Sequence, residues 1–186
     1  MIESTEQHSA ATEEVAGETS ERPSPSRAAG SAAARLRDSV SSGDRAELRR
    51  ISPNRPFTPA LWKLLLDMGQ HDAPEWISQE RWERRWATLL MGVAFCAELH
   101  DYKRSLGSAL AEAGYSELRL VRLLRAEGEQ LETYIRRLAQ YLHSKQQKAN
   151  WGDVANLIFY QSGETSDKIR LQIARSYFAT QHAQNT

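Results

Sequence analysis

The sequence predicts an all-helical protein: a compact helical bundle preceded by a disordered N-terminal tail. Three observations favour this fold class: Ala, Leu and Arg are abundant, Gly and Pro are few, and apolar residues recur at spacings of three and four. At 186 residues, the chain is long enough for one well-buried domain or two small lobes, and too short for two large domains.

Residues 1–30 differ in composition from the rest of the chain. They are mainly Ser, Thr, Glu and Ala with two prolines, and they show no aromatic residue and no periodic apolar pattern. Such a segment cannot bury enough surface to offset the entropy lost on ordering. Six glutamates against two arginines give it a charge of −4, so residues 31–186 carry +4 within a formal net charge of zero. We therefore predict a disordered acidic tail over 1–30 and a mildly basic helical domain over 31–186.

Capping residues predict the first elements of this domain. The first helix is expected over residues 31–40, followed by a short second helix for which Asp44 is the predicted cap. Thr58 followed by Pro59 is a typical helix start, and Gly69 is expected to end that third helix.

A longer helix is predicted to begin near Ser78, because apolar side chains then follow at helical spacing in one broad stripe. Its Trp82 and Trp86, together with Trp151 further on, are expected in the core, whereas Trp62 and Trp76 are harder to assign. The stripe makes this the main core helix. Its other members are Leu89, Leu90, Val93 and Cys96.

The second half of the chain is predicted to hold five shorter or mid-length helices. Two of them, over residues 104–113 and 116–126, meet at a glycine turn, and a third follows over 129–144. The fourth, over 151–160, has Asn150 as its predicted cap, and the last is expected over 167–178.

The sequence holds none of the common catalytic signatures. There is no Gly-rich phosphate loop, no nucleophile elbow and no His-Glu-x-x-His motif, and His71, His100 and His143 lie on different predicted elements without metal-ligand spacing. No apolar run approaches the roughly 20 residues that span a bilayer, and the single Cys96 cannot form an internal disulfide. We therefore expect a cytoplasmic protein that is not an enzyme and uses no cofactor, metal, membrane or small-molecule substrate.

The strongest local signal is a set of arginines on two consecutive predicted helices. Residues three apart on a helix lie about 60° from each other around its axis, so Arg119, Arg122 and Arg125 fan over one side. Arg136 and Arg137 follow on the next helix. The planar guanidinium fork binds phosphate with two hydrogen bonds, and such contacts tolerate any base sequence. The other interpretation is a solubilising face paired with nearby acids, and charge alone does not decide between the two. These acids are Glu127, Glu129 and Glu132.

Several short segments follow one another in a characteristic order between residues 31 and 186. They are residues 43–50 with 62–66, then 105–114, 120–126, 135–138, the pair Asn150 and Trp151, and 175–178. In this order they resemble the CasB family, the small subunit of the type I-E CRISPR surveillance complex called Cascade. The acidic tail lies outside the resemblance.

The resemblance implies an all-helical, non-catalytic subunit with two small helical lobes. It also implies that this subunit pairs with a second copy of itself and contacts other Cascade subunits, the crRNA and target DNA. It also implies basic residues that hold the displaced non-target strand and so stabilise the R-loop. Carried onto this sequence, Arg50, Arg125 and Arg137 match cationic positions of the family pattern. Five further arginines near these segments complete the predicted nucleic-acid-binding set. They are Arg49, Arg104, Arg119, Arg122 and Arg136.

Two other functions stay open at this point. Residues 106–116, followed by the arginines of the next helix, also fit a helix-turn-helix with Gly114 in the turn, which would suit a DNA-binding regulator. Against this, the second helix has no Asn or Gln that could recognise adenine. The third possibility is a pure protein-interaction module that makes no contact with nucleic acid.

Overall fold

The computed structural model describes residues 24–186, and over this range the all-helical prediction is confirmed. Nine α-helices follow one another, with one 3₁₀ turn between the fourth and the fifth and no strand among the described residues. The helices are α1 Pro25–Asp38, α2 Ser42–Arg49, α3 Pro59–Asp67, α4 Gln79–Cys96, α5 Leu106–Glu112, α6 Glu117–Arg125, α7 Gly128–Lys145, α8 Trp151–Phe159 and α9 Gly163–Gln184.

Helix α1 begins earlier than the sequence predicted. Ser24 caps it with a side-chain hydrogen bond from the amide of Arg27, and Pro25 occupies its first turn, so residues 25–30 belong to the helix and not to the tail. Ala28 and Ala29 are buried, and α1 packs against α8 and α4. This tertiary burial stabilises a segment whose own composition indicates disorder. The rest of the predicted tail, residues 1–23, lies outside the described residues.

The starts of α3, α4 and α8 agree with the prediction, and Thr58 and Asn150 are the caps that were expected. The side chains of Thr58, Ser78 and Asn150 accept hydrogen bonds from amides in the first turns of these helices. The cap of α2 was predicted wrongly. Ser41 caps this helix by accepting a bond from the amide of Asp44 at 3.0 Å, which places Asp44 inside the first turn.

Helix α4 is the central core element, as predicted. All six side chains of its expected stripe are buried, and the helix packs against α1, α2, α7 and α8. Trp82, Trp86 and Trp151 are buried, whereas Trp62 and Trp76 are exposed. Cys96 is a buried free thiol, and burial raises its pKa to about 12. The buried apolar side chains of the described helices form one continuous core.

At one side of this core, α5 and α9 pack closely through Gly107. A Cβ atom at Gly107 would lie 2.1 Å from the backbone oxygen of Ile173, so only glycine permits this approach. Helix α9 spans 22 residues and is longer than the predicted 167–178 at both ends. Its last turns continue without buried side chains, supported in part by a bond from the hydroxyl of Thr180 to the carbonyl of Ser176 at 2.9 Å.

Across residues 24–186, no helix combines the length and apolar character needed to cross a membrane. The same residues contain no cluster of three or more His, Cys, Asp or Glu side chains arranged to hold a metal ion.

Candidate nucleic-acid interface

A cationic groove lies between α6 and α7. Gly114, with φ of +73°, turns the chain from α5 towards Ser116, and α6 then runs alongside α7. The groove has a volume of about 480 Å³. It is lined by Tyr115, Arg119, Arg122, Tyr134, Arg137, Gln140, Tyr141 and Ser144. Arg119, Arg122 and Arg137, predicted from sequence as phosphate ligands, therefore share one concave surface, which we call the α6–α7 groove.

Tyrosine rings support the groove from within. Tyr115 and Tyr141 meet edge to face with their ring centroids 5.1 Å apart, and the hydroxyl of Tyr141 donates to the carbonyl of Ala113 at 2.6 Å. Tyr115 is buried, which raises the pKa of its phenol even though Arg119 lies nearby. These contacts fix α7 against the end of α5 and hold the two tyrosine rings in place.

The same rings orient the cationic side chains. The guanidinium of Arg119 lies 5.8 Å from the centroid of Tyr141, and that of Arg137 lies 5.7 Å from the centroid of Tyr134. The ammonium of Lys145 is 5.9 Å from the Tyr141 centroid. Cation–π contacts of this kind contribute about 0.5–1 kcal/mol each at exposed sites. They leave the hydrogen-bond donors of the arginines free to meet an anion in solvent.

The acids that could have neutralised this surface are paired elsewhere. Glu129 and Glu132 bind Arg84 of α4 at 3.2 and 3.1 Å, and Glu127 lies 3.8 Å from Arg170 of α9. Burial of Glu132 raises its pKa, although the hydrogen bond from Arg84 acts in the opposite direction. A solubilising face that pairs the α6 arginines with these three acids is therefore contradicted by the structure.

Five of the eight predicted arginines are exposed and have no described carboxylate partner. Arg119, Arg122, Arg125 and Arg137 are exposed, and no described carboxylate oxygen lies within 4.0 Å of their nitrogens. Arg50 is likewise exposed and without a carboxylate at that distance in residues 24–186. Arg125 at the end of α6 and Arg50 after α2 lie outside the groove lining. The structure thus brings together three of the predicted residues.

The remaining three predicted arginines make contacts within the protein. Arg49 donates to the carbonyl of Ala94 at 2.7 Å, and Arg136 donates to the carbonyls of Arg49, at 3.0 Å, and Ile51. Arg104 forms an ion pair with a glutamate of α5. Arg49 and Arg136 are half-buried and connect α2 to α4 and α7, which is a structural role that the sequence analysis did not foresee.

The sequence analysis also missed the tyrosines as members of the site. Tyr134 and Tyr141 fall within the apolar repeat of the helix predicted over 129–144, but both are half-buried at the edge of the groove. A usable signal was present, because Tyr134, Arg137 and Tyr141 are spaced at three and four and share one side of the helix. Tyr115 lies between two helices and carries no such pattern.

Comparisons with known proteins find a family and a shared fold. A sequence model of the family described as CRISPR-associated protein Cse2 matches residues 44–178. The fold is similar to the crystal structure of M. ruber CasB, with a TM-score of 0.64, 21% identity, and coverage of 84% of this chain and 96% of that one. It is also similar to a chain in the crystal structure of E. coli Cascade bound to a PAM-containing dsDNA target. There the TM-score is 0.61 at 20% identity, covering 86% of this chain and 95% of the other. A comparison with curated protein sequences finds no significant match.

Proposed function

This chain belongs to the CRISPR-associated Cse2 family, and from that premise we propose that it is a non-catalytic, cytoplasmic small subunit of a type I-E Cascade complex. In this role it would pair with a second copy of itself and with other Cascade subunits. Its α6–α7 groove would hold nucleic acid, chiefly the displaced non-target strand, and so stabilise the crRNA-guided R-loop.

One observation carries this proposal: three arginines line a single groove, and no described carboxylate neutralises them. A guanidinium donates two parallel hydrogen bonds to a phosphate, and each phosphate neutralised releases condensed counterions. Tyr134 and Tyr141 add ring edges beside which unpaired bases can lie. A groove of this composition suits a single strand of any sequence.

Modest contacts are sufficient for such a function. R-loop formation exchanges a DNA duplex for an RNA–DNA duplex of similar stability, so a few phosphate contacts to the displaced strand can shift the balance. The likeness to a chain of E. coli Cascade bound to a dsDNA target is consistent with this role. Arg50 and Arg125, which match cationic positions of the family pattern, would extend the contact beyond the groove.

The two alternative functions receive less support. A helix-turn-helix regulator needs its second helix to present a convex face to the major groove. Here Arg119 and Arg122 instead line a concave surface shared with α7. In a pure protein-interaction module, arginines that lie beside tyrosine rings and have no acidic partners would have no evident role. The DNA titration with the groove variant distinguishes this function from nucleic-acid binding.

The test is a titration of R-loop-forming target DNA with reconstituted Cascade that contains this subunit, lacks it, or carries Ala at Arg119, Arg122 and Arg137. We expect the triple variant to weaken R-loop binding by about 10- to 100-fold. For a single strand, three lost phosphate contacts lower the magnitude of the slope of log K against log salt by about 2.

A second triple variant controls for the loss of charge. Arg55, Arg81 and Arg175 are exposed, lie outside the α6–α7 groove and have no carboxylate within 4.0 Å in residues 24–186. Replacing them with Ala removes the same charge and should leave affinity and salt slope close to those of the wild type. If the groove variant behaves like this control while omission of the subunit weakens binding, the subunit acts through protein contacts and the proposal fails.

A further inference from the structure

We infer that the acidic residues 1–23 occupy the α6–α7 groove of this same chain when nucleic acid is absent, and compete with nucleic acid for it. The competition rests on the proposed function of the groove, whereas the docking of residues 1–23 can be tested without it. Three arguments support the inference: complementary charge, the position of the start of α1, and the reach of the chain.

The charges of the two surfaces are opposite. Residues 1–23 contain six glutamates and one arginine and no aspartate or lysine, which gives −5. The groove carries three arginines, and Lys145 contacts one of its tyrosine rings. Carboxylates accept the same bidentate hydrogen bonds from guanidinium that phosphates accept. The six glutamates are Glu3, Glu6, Glu13, Glu14, Glu18 and Glu21.

A series of direct contacts leads from the start of α1 towards the groove. Ser26 in the first turn of α1 packs so closely against Gly152 that the Ser26 Oγ occupies the space that a Cβ atom at Gly152 would need. Two residues before Gly152, the amide of Asn150 donates to the carbonyl of Arg104 at 2.7 Å. The first turns of α1 and α8 therefore lie beside the loop that precedes α5.

The path continues along α5 to the groove itself. Arg104 pairs with Glu112 at the end of α5, and the next carbonyl, that of Ala113, accepts the hydroxyl of Tyr141. The distance from the start of α1 to the groove is about 30 Å, taken as the length of α5 plus the widths of two packed helices. A chain of 23 residues reaches about 75–80 Å when it is fully extended. Residues 1–23 are therefore long enough to reach the groove, and their covalent attachment raises their effective concentration there.

The first experiment asks whether the segment occupies the groove in the isolated full-length chain. Cys96 is fully buried and burial raises its pKa to about 12, so an Ala11→Cys substitution provides the reactive thiol for a nitroxide label. We expect the label to broaden the backbone amide NMR signals of groove residues on α6 and α7. The broadening should disappear when Arg119, Arg122 and Arg137 are changed to Ala and persist in the Arg55, Arg81 and Arg175 control. Absence of broadening, or broadening that the groove substitutions leave unchanged, overturns the inference.

The second experiment measures competition. The full-length chain with all six glutamates of residues 1–23 changed to Gln is compared with the wild type for binding a single-stranded DNA of about 16 nucleotides. We expect the Gln variant to bind about 3- to 10-fold more tightly near 50 mM salt, with the difference lost above about 0.5 M, because salt screens both partners. Equal affinity at low salt overturns the competition. If neither protein binds DNA, the proposed function of the groove fails, and the broadening experiment still decides whether residues 1–23 dock there.

Discussion

Replacing Gly107 with Ala tests the packing between α5 and α9. The new Cβ would lie 2.1 Å from the carbonyl oxygen of Ile173 and from the hydroxyl of Ser176, and 2.8 Å from the amide nitrogen of Tyr177. Ordinary contacts of a Cβ atom begin at 3.4 Å, so the backbone of α9 would have to retreat by about 1.3 Å from α5. A backbone atom cannot rotate away as the end of a side chain can.

The magnitude follows from two opposing effects. Forcing extra volume into a packed core costs about 1–3 kcal/mol, and the upper end applies because a whole helix must move. Alanine gains about 1 kcal/mol over glycine in a helix. We therefore expect the free energy of unfolding to fall by about 2 kcal/mol, which lowers the Tm by about 4–8 °C in a protein of this size.

Urea unfolding followed by circular dichroism measures this change, and Gly43→Ala provides the matched control. Gly43 is an exposed residue of α2, where a Cβ would meet only the hydroxyl of Ser41 at the ordinary distance of 3.9 Å. That control should be as stable as the wild type or gain up to about 1 kcal/mol. The packing of α5 on α9 described above is refuted if both glycine variants are stabilised alike.

Three further predictions concern single side chains. Tyr141→Phe removes the hydrogen bond to the carbonyl of Ala113 and should lower the free energy of unfolding by about 1–2 kcal/mol in urea titrations; an unchanged midpoint contradicts it. The Nδ1 of His100 accepts a hydrogen bond from the amide of Trp151, and burial lowers the pKa of His100 below its ordinary value of 6.5. As the pH falls, the unfolded chain therefore protonates His100 before the folded chain does, and stability falls as the pH drops below 6.5. In His100→Asn, the loss of stability measured between about pH 7 and pH 5 should be smaller, and an identical pH profile argues against this origin. Asn150→Ala removes the cap of α8 and should cost about 1 kcal/mol, again read from the urea midpoint.

The helix starts that could be predicted are those set by local hydrogen bonds. Thr58, Ser78 and Asn150 each satisfy amides within three residues, so the pattern is visible in a short stretch of sequence. The start of α1 and the full length of α9 could not be predicted in this way. Ala28 and Ala29 are buried in a helix that packs against α8, more than 100 residues along the chain, and composition gives no sign of that packing.

The candidate site was predictable only in part, for a related reason. Arg119, Arg122 and Arg137 share the groove because helical spacing places them on facing sides of consecutive helices. Arg49 and Arg136 looked equivalent in sequence, yet they donate to backbone carbonyls 45 and 87 residues away. Every residue has such a carbonyl, so no pattern of residue types marks these partners.

The separation of acids and bases across α7 affects rates as well as affinities. Because the whole chain has no net formal charge, its field at long range is weak and does not accelerate the diffusion of polyanions towards it. The arginines of the α6–α7 groove act only within about one Debye length, roughly 8–10 Å. If the groove binds nucleic acid as proposed, free strands would therefore associate without long-range electrostatic steering, whereas a strand held beside the groove by a larger assembly would not need it.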